Sequence, residues 1–199
     1  MARGELPGCG RVGTGVATLL VGYGTLLNRR SLGDSIGQDS AEAREVAPVI
    51  VHGYRRLFNL RPDHYESSFK LGTAAIENAA ANLEAAPGSR FNGLAFPVTS
   101  DELEVLDERE SYYERHVVTL HAFDTNEVIG EGHVYVSLPD ARWIERDTTR
   151  LMPLWRDIEW SRGGAYRVAE SFGRVYDETT FLADGITLLI DSYRELLAR

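Results

Sequence analysis

Apolar residues follow two periodicities along the chain, and the order of the two predicts a mixed α and β protein. Apolar runs rich in β-branched residues predict strands at 16–23, 46–60, 71–79, 91–98, 115–123 and 127–138. From residue 151 onward the pattern is helical, and the last helix is predicted over 186–198. Strands that come first and helices that cluster late favour an α+β fold rather than regular βαβ repeats.

The connections between these segments carry their own signals. The 46–60 segment is either one long bent strand or two strands kinked at Gly53. The sequence PGSR at 87–90 predicts a turn, and Asp-Thr-Asn at 124–126 predicts a hairpin between the last two strands. Residues 27–43 are polar, and we expect them to be irregular with a single helical turn.

One helix, predicted over 99–113, places an acid among its core-facing residues. Thr99 and Glu102 form a capping box that defines its start. Helical steps of three and four align one stripe, Leu103, Leu106, Glu110 and Tyr113. Burial raises the pKa of a carboxyl group at Glu110 unless a partner compensates, which suits a general acid or base. The alternative is a structural ion pair, for example with Arg115, or a frayed helix end.

The first strand ends in the segment VGYGTLLN at 21–28, where two glycines flank a tyrosine. Two interpretations of this segment are open. Gly22 and Gly24 relieve crowding at the strand end, or they let backbone N–H groups approach a ligand closely. The second interpretation is physically sound because successive N–H groups form a concave site for anions.

Composition and charge limit the domain count and the kinds of partner. A chain of 199 residues, 43% of them hydrophobic, predicts a single domain over 15–199 with a helical C-terminal third, after a flexible segment at 1–14. The net charge of −9 repels phosphate backbones, so we expect no nucleic-acid partner. No apolar run is long enough to span a bilayer, and the single cysteine, Cys9, suits a reducing compartment. We therefore expect a cytoplasmic location and no membrane partner.

The sequence offers little for a metal or an organic cofactor. The five histidines are scattered without the spacing of metal ligands. Residues 8–13 match the pattern GxGxxG, but the dinucleotide motif needs a strand before it and a helix after it, and neither is predicted here. We expect no metal and no cofactor.

Short segments, in order, resemble motifs of the gamma-glutamylcyclotransferase-like family, which includes gamma-glutamylamine cyclotransferases and the enzyme BtrG of aminoglycoside biosynthesis. These segments are YGTL at 23–26, GYRRL at 53–57, GLAF at 93–96, LDERES at 106–111, YER at 113–115 and VYV at 134–136. The resemblance covers roughly 17–137 and is loose beyond it. Thr25 replaces the usual serine, and Ser111 replaces the glycine after the glutamate. Both departures bear on the substrate more than on the chemistry.

The resemblance implies a fold and a reaction. The fold is a small, mostly antiparallel β-barrel with surrounding helices. The reaction releases 5-oxoproline from a gamma-glutamyl amine or dipeptide, without a cofactor, by attack of the substrate's own α-amine, and Glu110 is the acid and base. Backbone amides of the glycine segment would hold the α-carboxylate. The substrate-binding residues implied are Gly22, Tyr23, Gly24, Thr25, Leu26, Tyr113 and Tyr135.

Two other classes of function stay open beside the enzyme. A non-catalytic protein on the same fold would bind a gamma-glutamyl metabolite or another small carboxylate. An interaction protein would expose aromatic anchors, although aromatic residues at this frequency are more often core. The candidates for such anchors are Tyr112, Tyr113, Trp143, Trp155 and Trp160. The leaving group of the substrate and the oligomeric state do not follow from the sequence.

Overall fold

The computed structural model describes residues 18–62, 69–71, 74–138 and 142–192. The segment at 1–14, with its GxGxxG match, lies outside these residues, as does most of the last predicted helix. The single domain over 15–199 therefore stays a prediction.

Within the described residues the chain forms nine strands and five α-helices, and residues 189–192 begin a further helix. The strands are β1 (Thr18–Gly22), β2 (Ala47–Leu60), β3 (Phe69–Leu71), β4 (Ala74–Asn78), β5 (Ala80–Val98), β6 (Tyr113–Ala122), β7 (Val128–Ser137), β8 (Leu151–Met152) and β9 (Thr180–Leu182). The helices are α1 (Arg29–Ile36), α2 (Gln38–Glu42), α3 (Ser100–Arg109), α4 (Trp155–Val168) and α5 (Glu170–Glu178). A short 3-10 helix, Thr25–Leu27, follows β1.

Five of the strands close into a ring, which gives the protein its α+β, barrel-like core. Around the ring the order is β5, β1, β7, β6 and β2, and β2 then pairs with β5 again. The pairings are antiparallel except that of β1 with β7, and β9 adds to β2 in parallel. A small separate sheet joins β3, β4 and β8. The predicted fold class and the predicted hairpin of β6 and β7 are confirmed.

The core has two apolar clusters that share the sheet as a wall. The larger one fills the ring and includes Leu20, Phe91 and Leu106. The second lies between the sheet and the C-terminal helices, where Phe58 and Phe172 are buried. The late helices therefore cover one side of the barrel, and the end of β1 lies where the two clusters meet.

Two predicted breaks in the strands are bulges within continuous strands. The β2–β5 register jumps from His52 opposite Arg90 to Tyr54 opposite Ala85. Gly53 fills the gap on β2 with a φ of 85°, a conformation that favours glycine. The choice for 46–60 is thus one bent strand. The prediction of a turn at 87–90 before a strand at 91–98 is wrong, because residues 87–90 lie within β5, which pairs with β2 on both sides of them.

The irregular segment predicted at 27–43 is also wrong, because it forms α1 and α2. Asn28 caps α1, and its side-chain oxygen accepts a hydrogen bond from the N–H of Arg30 at 3.0 Å. The buried positions of α1 include Ser31 and Gly33 beside Leu32. A helix that buries small and polar residues has little apolar periodicity, so the pattern underestimated it.

The predicted start of α3 is confirmed, and its predicted end is wrong. The Thr99 hydroxyl accepts from the N–H of Glu102 at 3.3 Å, and the Glu102 carboxylate accepts from the N–H of Thr99 at 2.9 Å. The helix stops at Arg109, and Glu110 caps it with φ −91° and ψ 38°. Tyr113 already belongs to β6, which starts where helical steps would have continued. The last helix likewise begins at 189 rather than 186.

A buried arginine ties the N-terminal strand to the C-terminal part of the chain. The Arg56 guanidinium is 0% exposed. It donates to the carbonyl oxygen of Tyr23 at 3.1 Å, to the carbonyl and side-chain oxygens of Asn92 at 2.9 Å each, and to the hydroxyl of Thr180 at 2.8 Å. Its carbon lies 3.9 Å from the centre of the Tyr176 ring. Burial lowers the pKa of Arg56 to about 10, so the group is charged at neutral pH.

We predict that Arg56→Met lowers the free energy of unfolding by about 3 kcal/mol or more, because it leaves several buried oxygens without a donor. The control is Arg55→Met, since the Arg55 side chain is 33% exposed and pairs with Glu84 at 3.4 Å. We expect the control to lose about 1 kcal/mol or less. Urea denaturation of both variants measures the difference, and equal losses would contradict this role for Arg56.

Candidate active site

The two glycines of the 21–28 segment let the chain turn back on itself after β1. A Cβ at Gly22 would lie 2.9 Å from both Cβ and the carbonyl oxygen of Leu26, closer than real Cβ contacts. A Cβ at Gly24 would lie 3.1 Å from Cβ of Ala81 on β5. Close packing therefore explains both glycines at the strand end, and the packing brings the loop against β5.

Tyr23, between the glycines, fastens this loop to the barrel. Its hydroxyl donates to the carbonyl oxygen of Tyr135 at 2.7 Å, and its own carbonyl oxygen accepts from Arg56. Its ring contacts Phe91 edge-on at 5.8 Å. Burial raises the pKa of the Tyr23 phenol well above its usual value. Tyr23 is therefore a neutral anchor whose hydroxyl already has a partner.

Glu110 stands at the end of α3, and its side chain is 17% exposed. Burial raises the pKa of its carboxyl group, and the nearby Arg109 opposes that shift. Nε of Arg109 lies 3.3 Å from Oε1 of Glu110. The expected pairing with Arg115 does not occur, because Nε of Arg115 lies 3.0 Å from Oδ1 of Asp107 instead.

Arg109 links the carboxylate of Glu110 to α1 and to the glycine loop. The periodicity of the sequence did not predict this role. Its guanidinium donates to the carbonyl oxygen of Ser31 at 3.1 Å and to the hydroxyl of Ser35 at 2.6 Å. It also reaches the hydroxyl of Thr25 at 3.4 Å. The residue that departs from the family pattern at 25 thus takes part in this network. Ser111, the other departure, is exposed.

Tyr113 and Tyr135 form a wall beside Glu110, and their ring centres lie 6.5 Å apart in an edge-on arrangement. The Tyr135 hydroxyl donates to Oδ1 of Asp107 at 2.8 Å, and the Tyr113 hydroxyl donates to the carbonyl oxygen of Ala81 at 2.7 Å. Burial raises the pKa of the Tyr135 phenol, and the hydrogen bond to the carboxylate of Asp107 raises it further. The hydroxyl of Tyr135 thus donates to a carboxylate rather than to the backbone, and Asp107 supports this wall.

These groups surround one cavity of about 170 Å³. The predicted site residues that line it are Tyr23, Gly24, Thr25, Leu26, Glu110, Tyr113 and Tyr135. Gly22 is not part of the lining, and its packing against Leu26 accounts for it. Further residues line the cavity without having been predicted as site residues: Val21, Phe58, Pro62, Ala80, Ala81, Arg109, Tyr112 and Asp157.

Asp157 is the least foreseeable member of this set. It comes from the first turn of α4, far along the chain and beyond the motifs that the sequence resembles. Over the residues that the structure describes, no group of three or more potential ligands is arranged to hold a metal ion. In the same residues, no helix combines the length and apolarity that crossing a membrane requires.

A sequence model of the family described as gamma-glutamyl cyclotransferase, AIG2-like, matches residues 20–157, well over half of the chain. The chain belongs to this family. The match spans β1, the glycine loop and Glu110, and it ends at Asp157. None of the curated proteins compared shows significant sequence similarity.

Solved structures share the fold of this cyclotransferase-family protein. A gamma-glutamyl cyclotransferase has a TM-score of 0.58 at 14% identity, over 81% of this chain and 86% of its own. An uncharacterised protein from Homo sapiens has a TM-score of 0.58 at 14% identity, over 80% and 86%. YkqA from Bacillus subtilis has a TM-score of 0.59 at 13% identity, over 79% and 52%. At such identities the likeness concerns the fold alone.

We predict opposite effects of alanine at two glycines. Gly22→Ala lowers the free energy of unfolding by about 1–3 kcal/mol, because its Cβ pushes into Leu26. Gly163→Ala, within α4 where a Cβ meets nothing within 4 Å, raises it by up to about 1 kcal/mol through helix propensity. Thermal denaturation of the two variants provides the comparison. No loss of stability in Gly22→Ala would show that packing does not explain Gly22, and a loss in Gly163→Ala would contradict the open space around Gly163.

Proposed function

We propose that this protein is a gamma-glutamyl cyclotransferase that converts a gamma-glutamyl amide into 5-oxoproline and a free amine. The observation that carries the proposal is the largely buried Glu110 carboxyl group, which lines the same cavity as the glycine loop. A buried acid in a cavity, with a raised pKa, is the arrangement expected of a general acid and base.

The glycine loop would hold the α-carboxylate of the gamma-glutamyl group. Thr25 and Leu26 line the cavity, and no acceptor for their N–H groups is found among the described residues. Unpaired backbone N–H groups bind carboxylates well because both can donate to one anion. Arg109, whose guanidinium reaches Thr25, adds positive charge beside the loop.

The reaction would proceed within the substrate. Glu110 takes a proton from the α-ammonium group, which is mostly protonated at neutral pH. The freed nitrogen attacks the γ-carbonyl carbon, a new C–N bond closes the five-membered lactam, and the original amide C–N bond breaks. Glu110 returns the proton to the departing nitrogen, and a second proton then passes through Glu110 from the cyclised nitrogen to the released amine, which leaves as an ammonium ion. The single positive charge thus moves from the α-nitrogen to the released amine, and atoms and charge balance without water or a co-reactant.

A small set of residues suffices for this chemistry because the nucleophile belongs to the substrate. Well-oriented intramolecular attack has effective molarities of about 10⁵ M or more, so holding the substrate folded supplies much of the rate. The walls formed by Tyr113 and Tyr135 would serve that purpose, since their hydroxyls are already bonded to Ala81 and Asp107.

The ion pair of Glu110 with Arg109 favours a second candidate, a non-catalytic binder of gamma-glutamyl metabolites. The guanidinium of Arg109, 3.3 Å from the Glu110 carboxylate, makes that carboxylate a weaker base. A weaker base is a disadvantage for catalysis, but it is none for a protein that only binds the metabolite. The binder and the enzyme differ in one measurable respect, since only the enzyme releases 5-oxoproline.

We predict 5-oxoproline release from a panel of gamma-glutamyl dipeptides, gamma-glutamylamines and glutathione, and loss of that release in Glu110→Gln. The loss should be about 10²-fold or more, because amide nitrogen accepts no proton. Glu108→Gln is the matched control, since Glu108 is an exposed acid two residues before Glu110, near the end of α3. Equal rates in the two variants would remove Glu110 from the mechanism, and binding without release by the unsubstituted protein would favour the binder.

We also predict the direction of the pH dependence. The base form of Glu110 is lost as the pH falls through its pKa, which burial raises. The acidic fall in kcat/KM should therefore lie above the usual pKa range of glutamate. A pH profile of 5-oxoproline release measures it, with Glu108→Gln again as the control. A fall within the ordinary glutamate range would contradict the assignment of Glu110 as the base.

A further inference from the structure

Asp157 brings a second carboxylate to the cavity that Glu110 lines. It comes from α4, in the part of the chain that covers the barrel, and only 8% of the residue is exposed. Burial raises the pKa of its carboxyl group. A carboxylate in such a position is destabilising unless something favours its charge, so its surroundings need to be accounted for.

The protein contacts of the Asp157 carboxylate are long. Nδ2 of Asn78 lies 3.5 Å from Oδ2, at the limit of a hydrogen bond. Nε of Arg156 lies 3.6 Å from Oδ1, and the Arg156 side chain is 59% exposed. An ion pair with so exposed a partner contributes little. Among the described residues nothing closer neutralises this acid.

Stabilisation of the helix accounts for Asp157 only in part. An acid in the first turn interacts favourably with the helix dipole. The start of α4 has no side-chain cap, and the side-chain oxygen of Asn78 accepts a hydrogen bond from the N–H of Leu154, the residue before the helix, at 3.0 Å. Yet an interaction with the dipole requires no burial of the acid, and Glu159, two residues further along α4, is exposed. The helix dipole therefore does not explain why Asp157 is buried and lines the cavity.

The remaining lining suits a positive group beside Asp157. The guanidinium of Arg109 is engaged by Glu110, Ser31 and Ser35, so it does not serve Asp157. The other walls are mainly aromatic and apolar, and aromatic faces attract cations. The net charge of −9 also draws cations toward the protein.

We propose that Asp157 binds a positively charged group on the leaving part of the substrate. The substrate class is then the gamma-glutamyl amides of amines that carry a second, cationic group. This inference rests on the proposed function, since it concerns the amine that cyclisation releases.

The test compares three gamma-glutamyl amides that differ only in their far end. Each has four methylene groups after the amide nitrogen, followed by an ammonium, a methyl or a carboxylate group. Calorimetric titration into Glu110→Gln measures their binding without turnover. We expect the ammonium compound to bind about 10- to 100-fold more tightly than the methyl compound, as a charged hydrogen bond would give. The carboxylate compound should bind most weakly.

Substitutions of Asp157 test whether this residue causes the preference for the ammonium compound. Adding Asp157→Asn to Glu110→Gln should reduce the preference to about twofold or less, and adding Asp157→Glu should retain most of it. Adding Glu159→Gln, an equal change of charge at an exposed position of α4, should leave it intact. Equal affinities for the three compounds, a preference that survives Asp157→Asn, or no binding of any compound would each overturn the inference.

Release of 5-oxoproline by the unsubstituted protein is measured on the same compounds. Release without any preference for the cation would overturn the role of Asp157 and leave the proposed function intact. A preference that depends on Asp157 in the absence of release would support Asp157 as a cation-binding residue and overturn the cyclotransferase activity. The two proposals therefore fail separately.

Discussion

The fold depends on one buried cation, the guanidinium of Arg56. It has no exposure, and it donates to the Tyr23 carbonyl, to Asn92 and to Thr180 while lying over Tyr176. A charge in this position is tolerated only when its donors are satisfied together, so the three chain segments have one mutual arrangement. That arrangement places the loop after β1 on the cavity and holds the C-terminal helices against the barrel.

The cavity is built where segments distant in sequence meet. The glycine loop comes from the end of β1, Glu110 from the end of α3, and Asp157 from the start of α4. Both acids are largely buried and both have raised pKa values, which disfavours their charged forms. Buried acids with perturbed pKa values cluster at catalytic and ligand-binding sites. Proton transfer at Glu110 and charge recognition at Asp157 together would select and cyclise a cationic gamma-glutamyl amide.

The features that depend on neighbouring residues in the sequence could be predicted from it. The α+β class, the hairpin of β6 and β7, and the capping box at Thr99 follow from periodicity and turn chemistry. The acid at Glu110 was also singled out by its spacing, although the helix ends one residue before it. Contacts between residues that are distant in sequence could not be predicted in this way. Arg109 contacts Ser31 on another helix, and Asp157 reaches the cavity only because α4 packs on the barrel. Neither contact has a periodic signal along the chain.

The central claim is that the glycine loop holds the α-carboxylate of a gamma-glutamyl group while Glu110 contacts the α-nitrogen of the same group. A crystal structure of Glu110→Gln with a bound gamma-glutamyl amide tests it most directly. The account predicts an α-carboxylate within hydrogen-bonding distance of the N–H groups of Thr25 and Leu26, with the α-nitrogen beside residue 110. A ligand carboxylate bound away from residues 22–26 would contradict it.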